Sequence, residues 1–116
     1  NQICIAGILQ GLAEAINFAQ NANLDISDMV GVISKGAAGS WQLENRGVTM
    51  AANEFDFGFA VNWMRKDLDI CLKEAERNGS SLPMVSLVDQ FYKEIQLMGG
   101  GALDTSSLIK RLKNFN

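Results

Sequence analysis

Lys66 and Asp67 stand side by side in FAVNWMRKDLDICL, residues 59–72. At about 100° per residue, a helix through this stretch turns Val61, Met64, Leu68, Cys71, Leu72 and Ala75 to one side, the expected core face. Phe59, Trp63 and Ile70 gather on the other side, with Lys66 among them. A surface helix needs only one apolar face, so a second one implies cover by a partner subunit, another domain or a ligand. A lysine beside aromatic rings suits a flat ring, a carboxylate or a polarised carbonyl. The plainer reading of Lys66-Asp67 is a solvated charge pair of small energetic weight. Asp67 falls at the edge of the core stripe, where it can anchor a loop amide such as one near Ser40.

Two further groups could do chemistry. Gly36-Ala37-Ala38-Gly39-Ser40-Trp41 is a small-residue loop leading into a helix start, where free N–H groups can bind an anion. It lacks the Gly-Lys-Ser/Thr of a P-loop, and no strand precedes it as in a dinucleotide fingerprint, so a tight turn between packed helices is the plain alternative. Asn1 and Gln2 place two amides at the start of an apolar helix, as substrate ligands or simply as an exposed end.

Composition removes other chemistries. The chain has 116 residues, a formal net charge of -3 and no histidine. Histidine-based acid–base catalysis, the usual serine and cysteine triads and most zinc sites are therefore excluded. Cys4 and Cys71 read as small buried thiols in a reducing compartment, with a bridge between them left open. Lys110, Arg111 and Lys113 form the one basic cluster, which suits a helix C-terminus better than nucleic acid.

Helical periodicity dominates, and no alternating strand pattern stands out. A first helix is expected from about Asn1 to Ala22, wide in its apolar surface, with Gly7, Gly11 and Ala15 open to close approach by another backbone. The apolar run Ile3 to Ile16 contains Gln10 and Glu14 and is too short to span a bilayer, so it reads as a core helix. Asp25 or Ser27 caps a short helix, Asp28 to about Lys35, ended by Gly36. Ser40 caps another, ended by Gly47, and Val48 to Gly58 is expected as loop. The two-faced helix stops at Asn78-Gly79, and Pro83 opens a helix reaching about Met98. Gly99-Gly100-Gly101 breaks it, and Asp104 or Thr105 caps a last helix, Ser106 to about Lys113. The expectation is one all-α domain over residues 1–116, of about six helices, built around the first.

The order of the pieces resembles one family. They are the opening N-Q with a long helix through G-L-A-E-A, then S-K-G-A-A-G-S-W, L-E-N-R-G, F-x-x-x-x-x-x-K-D-L, G-S-S-L-P and D-T-S-S-L. Over essentially its whole length the chain resembles the C-terminal all-α domain of the β-hydroxyacid dehydrogenases, the 3-hydroxyisobutyrate dehydrogenase group, related to 6-phosphogluconate dehydrogenase. The resemblance implies a parent with an N-terminal Rossmann domain that carries most of the NAD or NADP site and the loop gripping the substrate carboxylate. The chain opens without Met inside a helical pattern, so it is expected to be a fragment of that parent. The family's catalytic lysine lies in G-x-x-G-x-x-x-K-x-x-N. Asn1 matches the final Asn, which sets the lysine just upstream and leaves this chain without the general acid/base.

By position, the resemblance makes Asn1, Gln2 and Lys66 substrate ligands. Phe59, Lys66, Ser40 and Trp41 become cofactor-side residues, and Asp67 structural support. It implies hydride transfer between a small 3-hydroxy acid and a nicotinamide, a homodimer or higher homo-oligomer formed through the first helix, and no nucleic-acid or membrane partner. The location follows as cytoplasmic, or mitochondrial in a eukaryote. Two rivals stand beside it. One is a non-catalytic oligomerisation or interaction module of a dehydrogenase-like scaffold, distinguished by the residue three places before Asn1 in the parent. The other is a plain helical dimerisation domain.

Overall fold

The computed structural model describes residues 1–113. Its elements are α1 (Gln2–Asn21), α2 (Ile26–Ile33), α3 (Trp41–Ala51), α4 (Val61–Asn78), α5 (Pro83–Leu97), a 3-10 turn η1 (Thr105–Leu108) and α6 (Ile109–Lys113). Among the described residues the extended pairing is a single antiparallel bridge, Ala60 to Asp104. The all-α expectation holds.

The organising element is α1, which packs against every other helix and against η1. Leu9, Ala13 and Ile16 are fully buried and meet Met50 of α3, Met64 and Leu68 of α4, Val88, Tyr92 and Ile95 of α5, and Leu108 and Ile109. This is the core the periodicity describes. The helix runs 20 residues, however, and by length and composition alone is long and apolar enough to cross a membrane. The sequence argument that the apolar run is too short does not hold; the interlocked core positions are what make it a core helix.

Three boundaries differ from the sequence reading. First, α2 starts at Ile26 with the Asp25 carboxylate accepting from Asp28 N at 2.8 Å, and ends at Ile33, so it lies two residues earlier than expected. Second, Gly47 does not end α3 but lies buried inside it. A Cβ there would come within 2.8 Å of Val30 Cγ2, so this glycine lets α2 lie close on α3. The chain leaves the helix at Asn53, which takes a positive φ of 60°. Third, the last helix is a 3-10 turn followed by one α turn, because Asp104 binds Ser106 N at 3.0 Å and tightens the start.

The start of α4 bears directly on the site. No side chain caps it; instead Val61 N donates to Leu103 O at 2.8 Å and Asn62 N to Gly101 O at 2.9 Å. The triple-glycine loop thus satisfies the free donors of α4. A Cβ on Gly101 would sit 2.5 Å from Asn62 Oδ1, so a larger residue would displace the Asn62 side chain, which accepts from Gln96 Nε2 at 2.8 Å. Phe59 is therefore not on the helix. Its carbonyl accepts from Thr105 N at 2.9 Å, in an extended run just before Val61.

Further along, Arg65 binds Asp89 through Nε (3.0 Å) and Nη2 (3.2 Å), and Gln96 through Nη1 (2.9 Å), locking α4 to α5. Gly79, at φ 81°, ends α4, and Pro83 occupies the first turn of α5. The basic cluster tethers α6: Arg111 pairs with Glu94 and stacks on Phe91, and Lys113 donates to Gln20. Cys4 is exposed and Cys71 half-buried, and both are free thiols. The reading of two buried thiols fails at Cys4, which falls on the uncovered side of α1.

Candidate functional site

The start of α1, the start of α3, the extended run before α4 and the turn into η1 converge on one recess. It has a volume of about 300 Å³, and Asn1, Gln2, Trp41 and Phe59 all line it. These four come from three separate parts of the sequence reading. Ile5, Gln42, Arg46, Asp104 and Thr105 complete the lining.

Each wall has a local cause. Asn1 and Gln2 arrive together because α1 begins at Gln2, and the two side chains are linked, Asn1 Nδ2 donating to Gln2 Oε1 at 2.7 Å. Gln2 Nε2 then donates to Asp67 Oδ2 at 3.3 Å. Asp67 therefore holds an amide, as expected for its position, but that of Gln2 rather than a loop amide near Ser40. Trp41 is delivered by the cap of α3, where Ser40 Oγ accepts from Leu43 N at 2.9 Å. Trp41 remains 59% exposed and Phe59 39% exposed, so two flat rings stand open at this recess.

The recess is braced by an ion pair that the sequence reading did not single out. Arg46 Nε donates to Asp104 Oδ2 at 3.3 Å, and the guanidinium lies 4.1 Å from the Phe57 ring centre and 5.1 Å from that of Trp41. Asp104 is 2% exposed and also accepts from Ser106 Oγ at 2.6 Å. Its backbone N donates to Phe55 O at 2.9 Å. A single buried carboxylate residue thus joins α3, the Phe55–Phe59 run and η1. Arg46 was visible only as a letter within L-E-N-R-G, whereas Asp104 was expected as a cap of the last helix, a role its carboxylate fills by accepting from Ser106 N. Their partnership, 58 positions apart, has no periodic signature.

Ser40 and Lys66 do not join the recess. Ser40 is spent on its cap and borders a separate apolar groove of about 400 Å³ with Gly7, Gly11 and Ala15. Lys66 is exposed, its Nζ 5.3 Å from the Trp63 ring centre. Trp63 and Ile70 are 59% and 56% exposed, so α4 does carry an uncovered apolar face. Through Asp67, the neighbour of Lys66 in the chain, α4 touches one lining residue of the recess, Gln2.

Open rings beside side-chain amides and a guanidinium can hold a flat, polar molecule and a small oxygen-rich one together. Residues 1–112 match the family described as NAD-binding of NADP-dependent 3-hydroxyisobutyrate dehydrogenase. An uncharacterised oxidoreductase of Shewanella frigidimarina is 62% identical over 97% of the chain and 39% of its own length. A probable mitochondrial 3-hydroxyisobutyrate dehydrogenase-like protein of Arabidopsis thaliana is 40% identical over 100% of the chain and 35% of its length. The solved 3-hydroxyisobutyrate dehydrogenase of Mycobacterium tuberculosis, with L-serine, superposes with a TM-score of 0.86 over 97% of the chain and 41% of its own, at 23% identity, a likeness of fold. The chain thus spans less than half the length of each of these proteins.

Proposed function

The chain belongs to the NAD-binding family of NADP-dependent 3-hydroxyisobutyrate dehydrogenase, and from that premise we propose that it is the C-terminal part of an NAD(P)-dependent β-hydroxyacid dehydrogenase. In this reading the parent moves a hydride between a small 3-hydroxy acid and the nicotinamide. A Rossmann domain on the N-terminal side supplies most of the cofactor site and the catalytic lysine, so the chain alone is inactive.

The observation that carries the reading is the recess itself, which unites Asn1, Gln2, Trp41 and Phe59. Its half-exposed rings fit a nicotinamide, a flat group that needs an apolar surface on one side and a carboxamide partner on the other. A bound nicotinamide supplies hydride exchange, and this chain's residues position and shield. Asn1 orients the hydroxy acid, and Gln2, held by Asp67, fixes the Asn1 side chain. Phe59 and Trp41 exclude water from the reacting face. Lys66, beside Trp63 on the uncovered face of α4, meets the cofactor or the substrate at the domain boundary, and Ser40 sets the position of Trp41.

The parent also self-associates in this reading, as a dimer formed through α1. Cys4, Ile8, Gly11, Ala15 and Phe18 are exposed along it at spacings of four and three, the repeat by which two helices lie side by side.

The test uses the intact parent, wild type and Lys66→Ala, following nicotinamide absorbance with NAD and with NADP against a panel of small hydroxy acids. Turnover by the wild type, cut about tenfold or more in kcat/KM by the substitution, is the expected result. A folded parent that turns over none of the panel overturns the dehydrogenase reading in favour of a non-catalytic scaffold. Turnover indifferent to the substitution removes Lys66 from the site.

A further inference from the structure

We infer that Arg46 is a positioning residue: its guanidinium, fixed by Asp104, holds the Trp41 indole in place as a wall of the recess. The holding is read from contacts within the chain. Its consequence for catalysis rests on the dehydrogenase reading, in which Trp41 lies on the cofactor side.

Trp41 needs a holder. It is the first residue of α3 and is exposed, and the Ser40 cap fixes the helix start rather than the ring. The Trp41 carbonyl accepts from Asn45 Nδ2 at 2.9 Å, again a tie to the backbone. Left to itself, such a ring turns about two side-chain bonds. The indole meets the guanidinium of Arg46, whose central carbon stands 5.1 Å from the ring centre.

Arg46 is suited to this because other contacts hold it. Nε donates to Asp104 Oδ2 at 3.3 Å, Nη1 donates to Asn45 O at 3.2 Å, and the central carbon lies 4.1 Å from the Phe57 ring centre. Asp104 is itself anchored, since its Oδ2 also accepts from Ser106 N and Ser106 Oγ. The Arg46 side chain is 18% exposed, and shielding from water strengthens the attraction between cation and ring. A line of contacts thus runs from Ser106 through Asp104 and Arg46 to Trp41. A lysine does not reproduce it: an ammonium pairs with Asp104 but has no plane to lay against two rings.

Two readouts test the inference. The chain has two tryptophans, so Trp63→Phe leaves Trp41 as the sole fluorophore of its kind. In that background Arg46→Lys and Arg46→Met are each expected to lower the fluorescence anisotropy and raise acrylamide quenching, with the helical circular dichroism signal kept. Should Arg46→Met unfold, Arg46→Lys, which leaves Asp104 a cation, carries the test. In the intact parent, Arg46→Lys is expected to raise the KM for the nicotinamide cofactor about threefold to tenfold, with kcat changed far less. That rise is expected to vanish when Trp41→Ala is already present, as for two residues acting as one unit. Unchanged anisotropy and quenching in the folded variants overturn the inference. A KM effect of Arg46→Lys that persists in full on the Trp41→Ala background also overturns it, because Arg46 then acts on the ligand or the fold without Trp41. A parent inactive on every hydroxy acid overturns the catalytic consequence together with the dehydrogenase reading, whereas the fluorescence of Trp41 still decides the holding.

Discussion

Gln2 donates its side-chain amide to Asp67 across 3.3 Å, joining the first turn of α1 to the middle of α4. With Asn1 donating to the Gln2 carbonyl oxygen at 2.7 Å, three side chains form a line from the recess to α4. The amide of Gln2 is thereby held in one orientation, its oxygen toward Asn1 and its nitrogen toward Asp67. The carboxylate is half-buried, and the contact ties together residues 65 positions apart.

Asp67→Ala is therefore expected to destabilise this chain by about 1 kcal/mol, the net worth of one such bond, measured by urea unfolding. On the proposed dehydrogenase reading, it is also expected to raise the hydroxy-acid KM of the parent, because the Gln2 amide is free to turn and Asn1 loses its fixed partner. Asp67→Asn keeps an acceptor oxygen and is expected to fall between. Identical unfolding midpoints and identical KM values for all three proteins would remove Asp67 from the supporting role.

Much of the scaffold was legible because it is periodic. The buried set Val61, Met64, Leu68 and Ala75 follows from spacing alone, and Gly79 and Pro83 are strong stops and starts. Gly47 misled for a physical reason: a glycine in a helical pattern marks either a terminus or a close approach, and only the position of Val30 decides between them. Phe59 looked helical because the period continues through it, whereas the tertiary caps Leu103 O and Gly101 O set the start at Val61. In the recess, Trp41 and Phe59 were accessible to sequence reasoning through resemblance. Asp104 was legible as a cap, but its pairing with Arg46 was not, since an ion pair between a helix and a distant turn leaves no local pattern.

Tyr92 makes a clean reporter, since the chain contains one tyrosine. It is fully buried, and its hydroxyl donates to Thr105 O at 3.1 Å, under the wall of the recess. Burial, and secondarily the charge of Asp104, push its pKa well above the ordinary tyrosine range. The unfolded chain ionises near pH ~10 while the folded chain keeps the proton. The contribution is complete below that pH and is lost as pH climbs toward the raised folded value, at about 1.4 kcal/mol per pH unit. Tyrosinate absorbance is expected to appear only with loss of the helical circular dichroism signal. Tyr92→Phe should flatten the alkaline limb and cost about 1 kcal/mol at neutral pH through the unpaired Thr105 carbonyl. Tyrosinate formation near pH 10 in a fully helical protein would contradict this account.

Gly11 separates association from folding. It lies on the uncovered stripe of α1, and a Cβ placed on it meets nothing within 4 Å, so the fold has room for a side chain there. Any residue with higher helix propensity than glycine should strengthen the isolated helix by up to about 1 kcal/mol. In a dimer formed along the Cys4–Phe18 stripe, the same position lies in the seam, where a long charged side chain meets its own copy across the axis and is driven out of water. Gly11→Arg is therefore expected to raise or preserve the unfolding midpoint of the dilute chain while shifting the parent to monomer in sedimentation velocity. Gly11→Ala, small and apolar, is expected to leave the parent associated. A parent that sediments identically with Arg at this position places the subunit contact elsewhere. A chain that loses its helical signal with Arg instead means that this side of α1 is covered by its own fold.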